Sequence, residues 1–296
     1  MRFLFVDQIL KAEHSRKIFG VKHITPEDFF LCHQPGDDRL CFIPSLIGET
    51  IGQLAAWQVM KEKNFELRPV AGVVAEAIMH RPAYVGDTLF IECDIVALDD
   101  VAVEYHGHAR VNGELVFSVV GAIGPMLPMT QFISHAAVQQ QFDEIYRPID
   151  GSLEEYLQQW PASLDMPNQG QVYPMQFDVI SDIKPKESCR AFKKITRAAP
   201  YFPDHFPNKP VLPLTVLLEC KRQLAQTFLE HSGWTQPFHL KKMERIKMSD
   251  FVQPGEVIAS ELIVKRATDT ELVIHIRSYL GQKRVCVVDL VYQAEE

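Results

Sequence analysis

Six cysteines in 296 residues (Cys32, Cys41, Cys93, Cys189, Cys220 and Cys286) include no C-x-x-C pair and no Cys/His spacing suited to zinc. Several stand in apolar runs such as VLLEC and RVCVVDL, where a reduced thiol packs as a small hydrophobe. Such usage fits a reducing cytoplasm. Long hydrophobic runs are missing too: none approaches the roughly 20 residues that a membrane helix needs. The opening MRFLFVDQILKAEH does not read as a secretory leader, having only four consecutive apolar residues before Asp7 and no small-residue cleavage site. A soluble, cytoplasmic protein is expected. Excess positive charge is also lacking. The formal charge of −8 argues against nucleic acid as a general partner, since phosphate binding needs a concentrated basic surface. Low-complexity segments and coiled-coil heptads are absent.

The chain does contain a repeat. The segment APYFPDHFPNKPVLPLTVLLECKRQ (199–223) sets one histidine in a proline-rich turn before one carboxylate in an apolar helix. A looser copy, EDFFLCHQPGDDRLCFIPSLIGETIGQ, occupies residues 27–53, about 170 residues earlier. The surroundings repeat as well. Pro44 precedes SLIGETIGQLAAWQVMK, which has almost no polar face before Lys61, and Pro213 precedes LTVLLECKRQLAQTFLEH; both read as central helices. Strand-like runs follow each, from Thr88, Val101 and Leu115 in the first half, and as VIASELIVKR, ELVIHIRSYL and RVCVVDLVYQ in the second. Asn112-Gly113 marks a two-residue hairpin. The pattern predicts an α+β protein of two halves, each an antiparallel sheet wrapped around one apolar helix. The boundaries fall at residues 1–126 and 171–296, with a proline-containing connector at 127–170 and a short helix near 136–146. Charge divides unevenly. Residues 1–170 carry 12 Lys and Arg against 23 Asp and Glu, a balance of −11, and residues 171–296 carry 18 against 15, a balance of +3.

The repeated residues have a chemical logic. His205 precedes Glu219 by 14 positions, with Pro207, Pro210 and Pro213 between them, so the histidine lies on a stiff turn leading into the helix that Pro213 opens. Unpaired N–H groups at that helix start could polarise a carbonyl oxygen. Glu219, flanked by Leu217, Leu218 and Cys220, is expected to be desolvated and held protonated as an acid, with histidine as the base. His33 and Glu49 repeat the types at a spacing of 16.

These residues carry a resemblance. HFPNKPVLPLTVLLE (205–219) resembles the motif H-F-P-x-x-P-x-x-P-G-x-x-x-x-E of the FabA/FabZ-type 3-hydroxyacyl-[acyl-carrier-protein] dehydratases at every fixed position except the glycine, here Leu214. The glutamine four residues beyond the acid is matched by Gln223 and by Gln53, and the opening RFLFVDQILKAEHSRKIFGVKHIT is similar to the family's first strands. The resemblance implies a double hotdog whose halves pack as the family's two subunits do, each site taking its histidine from one hotdog and its acid from the other. The implied pairs are His205 with Glu49, and His33 with Glu219. The family's chemistry implies that each histidine takes the C2 proton of a 3-hydroxyacyl thioester while the acid protonates the leaving hydroxyl. The resemblance further implies that N–H groups near Leu214 and Ser45 hold the thioester oxygen, that Gln53 and Gln223 position the acid or a water, and that no metal or organic cofactor is needed. Ser45 and Leu214 stand where the family has glycine, and a side chain there could crowd the thioester. Gln34 replaces the motif phenylalanine, and residues 36–40 read as an insertion.

The implied partner is an acyl carrier protein or a coenzyme A thioester. An acidic carrier protein would meet Lys241, Lys242, Arg245 and Lys247 together with Lys209, Lys221 and Arg222. His80, His106 and His108 read as structural residues of strands. Two other readings stay open, a non-catalytic hotdog that binds acyl chains or carrier proteins, and a hotdog thioesterase, the latter by fold analogy. Chain length, and whether the double hotdog pairs into a homo-oligomer, are left undetermined.

Overall fold

The computed structural model describes residues 2–13, 16–157 and 170–294. The first half runs β1 (Gln8–Ala12), β2 (Lys17–His23), the hairpin β3 (Leu31–Gln34) and β4 (Asp37–Phe42), helix α1 (Pro44–Glu62), then β5 (Leu67–Pro69), β6 (Val73–Met79), β7 (Thr88–Leu98), β8 (Ala102–Val111) and β9 (Glu114–Pro128). Helices α2 (His135–Ile145) and α3 (Leu153–Leu157) follow β9, in the stretch expected to be a connector. The second half comprises β10 (Val179–Lys184), β11 (Ser188–Lys194), α4 (Leu214–Ser232), β12 (Phe238–Met248), β13 (Val257–Ala267), β14 (Glu271–Leu280) and β15 (Lys283–Ala294).

All pairings between these strands are antiparallel, in the order β1-β2-β7-β8-β9-β6-β12-β15-β14-β13-β11-β10, with β5 added on β9. Reading outward from the β6–β12 seam gives the same succession of strands on either side. This is the α+β double hotdog that the resemblance implied, and the seam lies on its pseudo-twofold axis. At the seam Met243 faces Ala77 and Ile246 faces Val74. Lys242 bridges Glu76 at 2.7 Å and Glu244 at 3.0 Å.

Each helix is the filling of its own sheet. Helix α1 buries residues on all sides, from Leu46 and Ile47 to Trp57 and Met60, as expected of a helix without a polar face. It approaches β8 so closely that a Cβ at Gly107 would meet Ile51 Cγ2 at 2.4 Å. The β8–β9 turn has both Asn112 and Gly113 at positive φ, the geometry of a type I′ hairpin. Helices α1 and α4 pack against each other, and one continuous apolar core links the halves. The connector adds to it: Phe142 of α2 packs on Trp57 and Phe65.

Two segments depart from expectation. The stretch 36–40, read as an insertion, is the turn and second strand of the β3–β4 hairpin, with Gly36 at positive φ. Strand β12 includes Lys241, Lys242, Arg245 and Lys247, read from sequence as part of a carrier-docking surface and found here in a central strand. Met243 and Ile246 are both buried, three positions apart because an irregularity between Glu244 and Lys247, with Arg245 at positive φ, shifts the register.

Candidate active site

The segment that bears His205 has no regular secondary structure, and its shape follows from its own backbone bonds. His205 N–H donates to Tyr201 O at 2.9 Å, Val211 N–H donates to His205 O at 3.0 Å, and Phe206 and Lys209 exchange bonds at 3.1 Å. The N-terminus clamps this turn, since Phe3 N–H donates to Asp204 Oδ2. The His205 ring stacks on Phe206 at 4.1 Å and meets the edge of Phe3 at 6.0 Å.

His205 Nδ1 lies 2.9 Å from Val211 O. A carbonyl oxygen only accepts, so Nδ1 carries the proton and the neutral ring keeps its lone pair on Nε2. Burial pushes the imidazole below the usual histidine pKa, opposed by the Glu49 carboxylate nearby. The side chain is thus tuned as a neutral base near pH 7.

Glu49, one turn and a half into α1, faces the same cavity from the opposite hotdog. Thr215 Oγ1 donates to its Oε2 at 2.7 Å, and Gln53 Nε2 donates to its Oε1 at 3.1 Å. Gln53 is itself fixed by Phe5 N–H and Phe3 O. The carboxyl group is therefore held from both halves. Leu214 opens α4 behind Pro213, with no side chain capping the helix, so the first N–H groups are free to meet an oxygen in the cavity that Leu214 and Thr215 line. Ser45, near the start of α1, lines it too, with its Oγ buried and unpartnered.

The cavity, about 170 Å³, continues between the two helices and the seam strands. Beyond Glu49 its walls are mainly aliphatic, including Val74, Ala77, Val119, Met243 and Ile246. Such a wall suits an alkyl chain.

The second expected pair, His33 with Glu219, is not formed. His33 lies on β3, where alternation turns Cys32 and His33 to opposite faces: Cys32 is buried against Cys41, and His33 is exposed. Gln34 donates toward both thiols. Glu219 is 1% exposed, and rather than a free acid it is the partner of Arg222, whose Nε and a terminal nitrogen bind it at 2.7–3.1 Å. Gln223 Nε2 adds a bond at 3.0 Å, repeating the Gln53–Glu49 contact. Both oxygens of Glu219 are thus occupied by donors of its own helix and are not presented to a cavity shared with His33.

The expected basic docking surface is reduced rather than removed, since Lys241 and Lys247 are exposed but the other members are engaged elsewhere. Lys221 is fully buried, donating to Cys286 Sγ at 3.1 Å, and Arg222 is buried with Glu219. Lys242 and Arg245 are paired with carboxylates, Arg245 with Asp289. Lys209 lies over the rings of Phe132 and Phe251. Two residues of the site escaped the sequence reading. Thr215 follows the missing glycine directly, and its hydroxyl in an otherwise apolar helix start was a usable signal. Arg68 on β5, which also lines the cavity, had none.

Among known proteins, residues 182–286 match the family model of ApeI-like proteins, described as ApeI dehydratase. A 3-hydroxyacyl-[acyl-carrier-protein] dehydratase FabZ of Hydrogenobaculum is 31% identical over 121 residues, 40% of this chain and 80% of the relative. That of Pediococcus pentosaceus is 27% identical over 125 residues, 40% of this chain and 83% of its own. Among solved structures, the dehydratase domain of PpsC from Mycobacterium tuberculosis, in complex with C12:1-CoA, superposes with a TM-score of 0.55 at 10% identity, covering 98% of each chain. The 12:0-ACP thioesterase of Umbellularia californica does so with 0.53 at 13% identity, covering 96% of each. At these identities the two structures speak for the fold alone. Among the described residues, no helix is long and apolar enough to cross a membrane.

Proposed function

Because the chain belongs to the family of 3-hydroxyacyl-[acyl-carrier-protein] dehydratases, we propose that it removes water from 3-hydroxyacyl thioesters at one site, built from His205 of the second hotdog and Glu49 of the first. The observation that carries this reading is the cavity shared by a neutral imidazole and a carboxyl group from opposite halves, with walls that are otherwise mainly apolar. His205 Nε2 takes the C2 proton, which the thioester acidifies. Glu49 enters this step as the protonated acid and gives its proton to the departing C3 hydroxyl, so that an enoyl thioester and water leave; the proton held by His205 then restores Glu49 for the next turnover. The N–H groups at the start of α4 hold the thioester oxygen as it gains charge. Gln53 and Thr215 keep the Glu49 carboxyl aimed at the reacting carbons. Our division of the chain into hotdogs at 1–126 and 171–296, with a connector between, sets these two groups on different units.

The counterpart site, with Glu219 committed to Arg222 and His33 turned outward, contributes stability instead of turnover. The thioester is carried by an acyl carrier protein or by coenzyme A, in the cytoplasm. The test is growth of enoyl-thioester absorbance from a 3-hydroxyacyl thioester. Glu49→Gln is expected to lower the rate by about 10²–10⁴-fold, the usual contribution of a positioned acid. Release of free thiol without enoyl product would favour hydrolysis instead, and tight thioester binding without either product would favour a binding protein.

A further inference from the structure

One charged side chain of the cavity has no part in the chemistry described so far. Arg68 stands on β5 opposite Leu127 of β9 and lines the cavity that holds Glu49 and His205. Its guanidinium lies 4.3 Å from the centroid of the Phe206 ring, the same ring on which His205 stacks. Its Nε is buried with no hydrogen-bond partner. Among the described residues no carboxylate forms an ion pair with it. The oxygens of Glu49, the acid that influences it most, are engaged by Thr215 and Gln53. Arg222, the other arginine lining this cavity, is neutralised by Glu219.

A guanidinium withdrawn from water without a counter-charge is unfavourable, and an aromatic face compensates it only in part. Burial pushes Arg68 down to about 10, which still leaves it a cation at neutral pH. Its fork of N–H donors thus faces a space where ligand atoms go, beside the two groups that carry out the chemistry.

We propose that Arg68 is a ligand-binding residue that pairs with an anionic oxygen at the thioester end of the acyl ligand. In the reaction above, that oxygen is the thioester oxygen as it takes on enolate charge. The identity of the natural ligand rests on that reading; recognition of the anion does not.

A stable stand-in for an acyl oxyanion is a fatty carboxylate, and its neutral control is the primary amide of the same chain. Binding of both, and of 4′-phosphopantetheine, is measured by calorimetry at pH 8 with the intact protein and with Arg68→Met and Arg68→Lys. The intact protein is expected to prefer the carboxylate over the amide by about tenfold, as a charge-assisted contact provides. Arg68→Met should abolish that preference while leaving amide affinity within about twofold, and Arg68→Lys should keep part of it. Equal loss for carboxylate and amide would mark a packing role and overturn the proposal, as would an intact protein without the preference. A loss confined to 4′-phosphopantetheine would assign the arginine to the phosphate of the carrier arm and overturn its place at the thioester end. None of these measurements needs turnover. A protein that keeps the carboxylate preference but never forms enoyl product would refute the dehydratase reading and spare this one.

Discussion

Replacing Arg222 by Met should cost about 3–5 kcal/mol of stability, because it leaves Glu219 as an uncompensated charge in the core. The basis is the depth of the pair: the side chains of Arg222 and Glu219 are 7% and 1% exposed, and the guanidinium closes on both carboxylate oxygens. For 296 residues, an unfolding entropy of about 2.1 cal/mol/K per residue gives roughly 0.6 kcal/mol/K, so the melting temperature should fall by about 5–8 °C in a cooperative transition. The double variant Arg222→Met, Glu219→Leu removes both charges and should recover to within about 1 kcal/mol of the original, since a buried pair replaced by apolar groups is often neutral. Thermal denaturation followed by circular dichroism reads all three proteins. Turnover of a short-chain 3-hydroxyacyl thioester should survive in the double variant. The reasoning is refuted if Arg222→Met melts within about 1 °C of the original, or if the well-folded double variant has lost its activity.

Thr215→Val should lower turnover by about 10–100-fold with little change in KM, the worth of one hydrogen bond to a carboxyl that gains charge as it gives up its proton, and steady-state kinetics at saturating thioester would check it. Since His205 is held below the usual histidine pKa of about 6.5 and must be neutral to act, kcat/KM should stay level down through that value and decline only at lower pH. The sign for stability agrees: a depressed histidine pKa favours the folded state above the unfolded value, and that contribution disappears as pH falls through the folded one. An acid limb at or above 6.5 would contradict the assignment of His205 as a buried base. Lys242→Met should weaken the seam by no more than about 1 kcal/mol, because its pairs with Glu76 and Glu244 are partly solvated; a melting experiment showing a loss several times larger would mean the seam depends on that charge.

Much of this architecture could be read from the chain because its strongest signals are local. An apolar helix behind a proline, a two-residue turn at Asn112-Gly113 and long alternating runs each dictate their own conformation, and each recurs in the second half. The cross-pairing of His205 with Glu49 was implied by the family motif, and both residues line one cavity. What failed was governed by register and by long-range contact. His33 matches His205 in type, but it lies in a strand whose alternation turns it to solvent, whereas His205 lies in an irregular turn. No residue-type comparison distinguishes those backbones. The Glu219–Arg222 pair was legible, since a spacing of three on a helix brings side chains together, yet the glutamate was read against its apolar neighbours alone. Strand β12 hid because a bulge breaks the alternation of its buried Met243 and Ile246 with charged residues, and because Lys242 and Arg245 pair with carboxylates of β6 and β15 that only the fold brings near. Arg68 gave no signal for the same reason: its significance lies in which cavity its strand happens to line.

The sharpest trial of a single working site is to compare enoyl-thioester formation by His205→Ala and His33→Ala. With one competent cavity, His33→Ala should run at the rate of the unaltered protein and His205→Ala should fall by at least about a hundredfold. Similar losses in both variants, or a loss confined to His33→Ala, would contradict the account.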